Sequence, residues 1–195
     1  GDVAELGRPA TGVRSYLAVR GGIAVDEVLG SRSTDTLSGL GPAILAEGTR
    51  LPIGPHVHDL PNVDVAPVAA LGDRIELTAL LGPRDDWFTT EALEVLGAEA
   101  YDVTSDSDRV GLRLRGPKLT RSNTEELPSE GVVTGAVQVT PDGMPVLFLA
   151  DHPVTGGYPV IAVVDAVVLH LAAQARPGQQ IRFRLTKPPD LRSPG

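Results

Sequence analysis

Two apolar runs enclose a polar island in LFLADHPVTGGYPVIAVV, residues 147–164. The island carries an acid, an imidazole, a hydroxyl and a phenol: Asp151, His152, Thr155 and Tyr158. Between them, Gly156 and Gly157 allow the backbone to bend sharply or to approach a ligand closely. Each of these features also suits an ordinary turn. Their crowding between two apolar strands is less ordinary, because polar groups at such a place cost burial unless they are used.

Other clusters offer chemistry in the same sense. Ser31, Arg32 and Ser33 in GSRSTD can hold an anion such as a carboxylate; the plainer reading is a loop whose hydroxyls cap nearby backbone. TSDSDRVG, 104–111, places Asp106, Asp108 and Arg109 before a strand, where a carboxylate–guanidinium pair can orient a substrate or an Asx turn can simply start the strand. Ser129 and Glu130 precede the apolar run VVTGAVQV, and Gln138 lies inside it. A lone amide there either satisfies a buried partner or reads a polar substrate. His56 and His58 flank Val57; in an extended segment both would face the same side, which suits a metal, but no third ligand is visible by spacing and a solvated linker is the plainer reading.

Several chemistries are excluded. There are no cysteines, hence no disulfide, thiolate zinc site or cysteine nucleophile. No Gly-x-Ser-x-Gly elbow is present. GLRLRGPKLT has Gly111 and Gly116 at phosphate-loop spacing, but Pro117 stands where lysine is required and removes a backbone donor. GLGPAI, starting at Gly39, keeps only the first two glycines of a dinucleotide fingerprint.

The elements that must position these residues read as mainly β. Arg74–Leu81 alternates, with Ile75, Leu77 and Ala79 on one face. RVGLRLRG, 109–116, and QIRFRL, 180–185, alternate likewise. VVTGAVQV and MPVLFLA flank Pro141-Asp142-Gly143, a turn signal that predicts a hairpin. Residues 13–28 read as strand, turn, strand about Gly21-Gly22, residues 30–42 as a loop, and 46–54 as a turn and a short strand. One helix is expected over 90–96, with Thr89 or Thr90 as N-cap, Glu91 and Glu94 near its positive end, and Gly97 as C-cap. A second is expected over 166–174 behind Asp165.

At 195 residues the chain suffices for one large domain or two small ones. Its 42% apolar content supports a core, and with 4% aromatics that core must be built mainly of Val, Leu, Ala and Ile. The 22 glycines and 17 prolines fit many short strands joined by tight turns, as in a barrel or sandwich. A net charge of −8 argues against nucleic acid and anionic membrane surfaces as partners. No apolar run reaches the ~18 residues of a transmembrane helix, and no secretory leader is expected at GDVAELGRPA. A cytoplasmic location is expected.

Five segments, RSYLAVRGGI, VLGSRSTD, SDRVGLRL, LPSEGVVTGAVQVTPDGMPV and LADHPVTGGYPVIAVV, occur in order over nearly the whole chain. Together they resemble the second subunit of bacterial allophanate hydrolase, a family also known as the C subunit of 5-oxoprolinase. The antagonist of a sporulation kinase inhibitor and the A and B subdomains of the urea carboxylase carboxyltransferase region are similar too. The resemblance implies a cyclophilin-like β-barrel fold in two subdomains, the first incomplete, because a TVQDLGRPG-like segment and about a third of a typical member have no counterpart here. It implies residues 1–54 as the end of the first subdomain, 55–72 as linker, 73–187 as the second subdomain and 188–195 as tail.

The activity implied is that of a hydrolase subunit acting on carbon–nitrogen bonds. The reaction would be ATP-dependent opening of 5-oxoproline or hydrolysis of allophanate, with no cofactor or metal bound by this chain alone and ATP used by the complex. The implied partner is a companion, kinase-inhibitor-like protein of the 5-oxoprolinase B-subunit type, in a heteromer. In the pocket so implied, Ser31, Arg32 and Ser33 bind a substrate carboxylate. Gln138, Thr155, Gly156, Gly157 and Tyr158 hold an amide or ureido group, and Glu130 or Asp151 is the general base. The chain departs from the family at Val110, His152, Pro153 and Val160, where members often carry Met, Arg, Gln and Lys. Two alternatives stand beside this reading: a non-catalytic module that docks on the inhibitor-like partner, and half of a biotin-dependent carboxyltransferase.

Overall fold

The computed structural model describes residues 2–55 and 71–186. They form two compact units, Gly1–Ser15 with Ala69–Gly195, and Tyr16–Val68. The division expected at residue 54 does not coincide with these units, because residues up to Ser15 group with the larger one. His56, His58, most of the expected linker and the expected tail lie outside the described residues.

In the larger unit seven strands close into a barrel, in the order Arg74–Leu81, Val160–Val164, Ala136–Val139, Pro145–Phe148, Gly111–Arg115, Ala100–Val103 and Gln180–Thr186. β1 (Arg74–Leu81) is the alternating strand read from the sequence, with Ile75, Leu77 and Ala79 buried and Glu76 exposed. β2 (Ala100–Val103), β3 (Gly111–Arg115), β5 (Ala136–Val139), β6 (Pro145–Phe148) and β8 (Val160–Val164) pair antiparallel. β9 (Gln180–Thr186) closes the barrel by running parallel to β1, Arg74 opposite Gln180 through Leu80 opposite Thr186. Ile181 and Phe183 enter the core, while Arg184 faces outward. The β5–β6 hairpin turns where Pro141-Asp142-Gly143 places it: the Thr140 N–H donates to Met144 O at 3.0 Å, and the Gly143 N–H to Thr140 O at 2.9 Å.

The first helix, α1 (Thr90–Ala98), is capped by the Thr89 hydroxyl, which accepts from the Ala92 N–H at 3.2 Å. Leu96 is fully buried. Gly97 does not end this helix; it lies inside it, and a Cβ there would meet Leu185 Cδ1 at 3.4 Å. The helix ends one residue later at Ala98, with Glu99 as its C-cap. α2 (Ala166–Ala172) begins at Asp165, whose carboxylate accepts from the Val167 N–H at 3.0 Å. It ends before Gln174, whose side chain bonds elsewhere: Oε1 accepts from the Val13 and Arg14 N–H groups at 3.0 and 2.9 Å. Arg176 adds donations to Gly12 O and Pro9 O, both 2.8 Å. Residues 9–14 are thereby laced onto the barrel.

In the unit Tyr16–Val68, the strand–turn–strand expected over 13–28 is not formed. The described residues make only isolated bridges, Ile23 with Ile53 and Val28 with Ser31. The turn expected after Ala46 is present, the Thr49 N–H donating to Ala46 O at 3.0 Å. No described residue from 16 to 55 is buried, and Tyr16 is 81% and Leu37 90% exposed. An apolar run becomes a stable strand only when further strands pair with it over a shared core; the described residues of this unit supply none.

Candidate functional site

Outside the barrel core, Val132, Ala136, Phe148 and Val160 form a second apolar cluster. A two-stranded ladder lies beside it: β4 (Glu130–Gly131) pairs antiparallel with β7 (Thr155–Gly156), Glu130 opposite Gly156 and Gly131 opposite Thr155. The island of 151–159 is therefore not only a turn. It contributes a strand, and that strand draws in the residues just before β5.

Apart from the phenol of Tyr101, Gln138 is the single buried polar side chain among the described residues, 4% exposed. Its Nε2 donates to the carbonyl of Tyr158 at 2.9 Å. Its Oε1 takes no hydrogen bond from any described residue. Gly156 packs on this amide so closely that a Cβ would stand 2.6 Å from Nε2. The register of β5 against β8 shifts between Val137 and Gln138, which sets Gln138 opposite Val160. A bulge of this kind re-aims the side chain that follows it.

Arg84 completes the arrangement. Its N–H donates to Val160 O at 3.2 Å, and its guanidinium grips Glu130 through two nitrogens, Nε to Oε2 at 3.1 Å and Nη2 to Oε1. A ring of contacts results: Arg84 to Glu130, Glu130 to Gly156, Gly156 to Gln138, Gln138 to Val160, and Val160 back to Arg84. The bond from Arg84 holds the Glu130 carboxyl below its ordinary pKa, and the same contact raises that of Arg84. A carboxylate so held is ionised near neutrality but is a weakened proton acceptor. A base role for Glu130 requires this pair to open.

The expected site residues are thus only partly gathered. Glu130, Gln138, Gly156 and the carbonyl of Tyr158 meet around Val160, with Thr155 and Gly157 on the same short segment. The Tyr158 residue is 44% exposed. Asp151 is held by Arg109, whose Nε donates to Oδ2, not by the residues around Gln138. Asp108 takes the plainer reading, an Asx turn with Oδ1 accepting from the Val110 and Gly111 N–H groups at 2.8 and 3.1 Å. His152 bonds locally, its Nδ1 lying 2.8 Å from Pro153 O. Ser31, Arg32 and Ser33 lie in the other unit. There the Ser31 hydroxyl accepts from the Ser33 N–H at 3.1 Å, and Arg32 contacts Glu27 at 2.7 Å and Val25 O at 2.9 Å. No cluster of three metal-ligating side chains occurs among the described residues.

Arg84 carries no functional signal in the sequence. It follows Gly82-Pro83, a turn signal, but nothing in LGPRDDW points to residue 130. Gly82 was equally inconspicuous, although a Cβ there would lie 2.3 Å from Val160 O.

The family described as carboxyltransferase domain, subdomain A and B, matches residues 1–185. This chain belongs to that carboxyltransferase A/B family. Among its relatives, the C subunit of Escherichia coli 5-oxoprolinase is 41% identical over 91% of the chain. Urea amidolyase of Saccharomyces cerevisiae is 33% identical over 94% of it. The chain spans 58% of the first relative and 11% of the second. The solved structure of Kluyveromyces lactis urea amidolyase superposes with a TM-score of 0.78 at 30% identity, covering 89% of this chain and 12% of that one. The larger unit of this chain is mainly β with short helices, built on a closed barrel. Among the described residues no helix is long and apolar enough to cross a membrane.

Proposed function

We propose that this chain is part of a subunit of a multi-subunit amide-bond hydrolase of the 5-oxoprolinase type, acting on a small cyclic or ureido substrate. The observation that carries the reading is the 41% identity to the C subunit of Escherichia coli 5-oxoprolinase. The chemistry of the ring around Gln138 supports it. A lactam or ureido group presents an N–H and a carbonyl side by side, and Gln138 Oε1 is an acceptor without a donor. With the substrate N–H on Oε1, that acceptor's bond is made and the group is oriented. Asp151, or Glu130 once its ion pair opens, is the proposed base. ATP is used by the complex, with a companion of the B-subunit type, in the cytoplasm.

A carboxyltransferase role is the second reading, favoured by the family description and by the urea amidolyase relatives. It requires a biotinyl carrier. The experiment is co-expression of the full-length protein with its companion subunits. ATP-dependent 5-oxoproline cleavage is then assayed beside allophanate hydrolysis and biotin-dependent carboxylation. Amide-bond cleavage that disappears when this subunit is omitted is the expected result. Carboxylation alone would transfer the assignment to the second reading, and a tight complex without any of the three activities would favour a regulatory module.

A further inference from the structure

The Arg84–Glu130 pair is built like a ligand contact. The two side chains are 35% and 33% exposed, so solvent reaches both. Arg84 offers two nitrogens to the two oxygens of a single carboxylate, the fork geometry by which arginine recognises carboxylate ligands. Its backbone is pinned to Val160, and Gln138 stands opposite the same residue with an unused amide oxygen. One ring therefore holds an acceptor lacking a donor and a guanidinium occupied by a carboxylate of the chain itself. Small molecules carrying both a carboxylate and an amide N–H supply a partner for each of these two groups.

We propose that Arg84 is the residue that binds the substrate's carboxylate, and that Glu130 fills its fork as an internal stand-in which the substrate displaces. The amide half of this assignment rests on the function proposed above; the carboxylate half does not. Exchange of one carboxylate for another on the same guanidinium keeps the charge-assisted bonds at Arg84 intact. The released Glu130 needs only the solvent that already reaches it. Freed from Arg84, Glu130 regains an ordinary proton affinity, so the base becomes competent only when the site is occupied. Arg32, the arginine singled out in the sequence, is likewise occupied by a carboxylate of the chain itself. Its guanidinium is held by Glu27 and Val25 O, within the unit 16–68.

The test is calorimetric titration of the full-length protein in its complex with 5-oxoproline, with the neutral lactam 2-pyrrolidinone and with acetate. Wild type is compared with Glu130→Gln, Arg84→Gln and Arg84→Lys. Glu130→Gln removes the competing charge and is expected to tighten 5-oxoproline roughly tenfold while leaving 2-pyrrolidinone unchanged. Arg84→Gln is expected to abolish the preference for the acid over the neutral lactam, with partial rescue by Arg84→Lys. A purely structural ion pair predicts the reverse for Glu130→Gln: equal or weaker binding of both ligands. That result, or a preference for the acid retained in Arg84→Gln, overturns the assignment. Acetate bound in an Arg84-dependent way without any lactam binding would sink the amide reading and uphold Arg84. Should Arg84→Gln not fold, the Glu130→Gln titration decides alone.

Discussion

Gly156 leaves no room for a side chain beside Gln138, and that contact sets the geometry of the buried amide. In Gly156→Ala the new Cβ meets Nε2 at 2.6 Å and Val132 Cγ2 at 3.2 Å. The amide must swing away and give up its bond to Tyr158 O, which costs about 1–2 kcal/mol. Denaturant titration of Gly156→Ala, Gln138→Ala and the double variant measures this. The double variant should be more stable than the sum of the singles predicts, because the clash is with the amide. A second residue-scale feature is Tyr101, fully buried against Phe183 at a ring-centroid distance of 6.2 Å, its hydroxyl without a partner. Burial pushes its phenol up to about 12. The folded state then holds the proton more tightly than the unfolded chain, whose tyrosine titrates near 10. Stability that is present below pH ~10 is lost as the pH rises towards ~12, by at most about 2 kcal/mol. Tyr101→Phe should remove that alkaline loss, seen as a flatter profile of stability against pH, with neutral-pH stability unchanged or raised.

At the scale of elements, the segment after β1 decides whether Arg84 reaches the site. Gly82 passes against β8, its N–H donating to Ile161 O at 2.8 Å, and its would-be Cβ falls 2.3 Å from Val160 O. The obstruction is backbone, which cannot rotate aside. Gly82→Ala should therefore cost about 2–3 kcal/mol and displace Arg84 from Glu130. The denaturation midpoint reports the first effect. Loss of the Glu130 pKa depression, followed by carboxyl NMR titration, reports the second. The ladder of β4 and β7 works in the same direction. Two residues a side make a weak sheet, but opposing Glu130 to Gly156 they fix the acid against the glycine that shapes Gln138.

For the whole molecule, residues 9–14 are tied to the barrel through side chains that follow α2. Gln174→Ala should speed hydrogen exchange at the Val13 and Arg14 amides roughly tenfold or more, while amides of β1, β5 and β8 stay protected. Unchanged exchange at residues 13 and 14 would show that the lacing contributes nothing in solution.

Much of this architecture is legible in the order of residues. The alternation in Arg74–Leu81 and Gln180–Thr186 marks half-buried strands, because successive side chains point to opposite faces whatever the partner strand is. Thr89 and Asp165 mark helix starts, because a cap acts on N–H groups two or three residues away. Pro141-Asp142-Gly143 marks its hairpin by the same locality. The polar island at 151–159 stands out because its composition breaks an apolar context. What the sequence determined by itself is local: periodicity, caps, turns and the types of side chain present. The tertiary structure alone decided which distant segments meet. It paired β1 with β9, the first and last strands of the barrel, gave Asp151 to Arg109, and brought Arg84 to Glu130 and Gly156 onto Gln138. Those choices follow from closure of the sheet and the shift in register at Gln138, which depend on every strand at once. No spacing along the chain encodes a contact between residues 84 and 130, and that contact is the one on which the proposed recognition of a carboxylate rests.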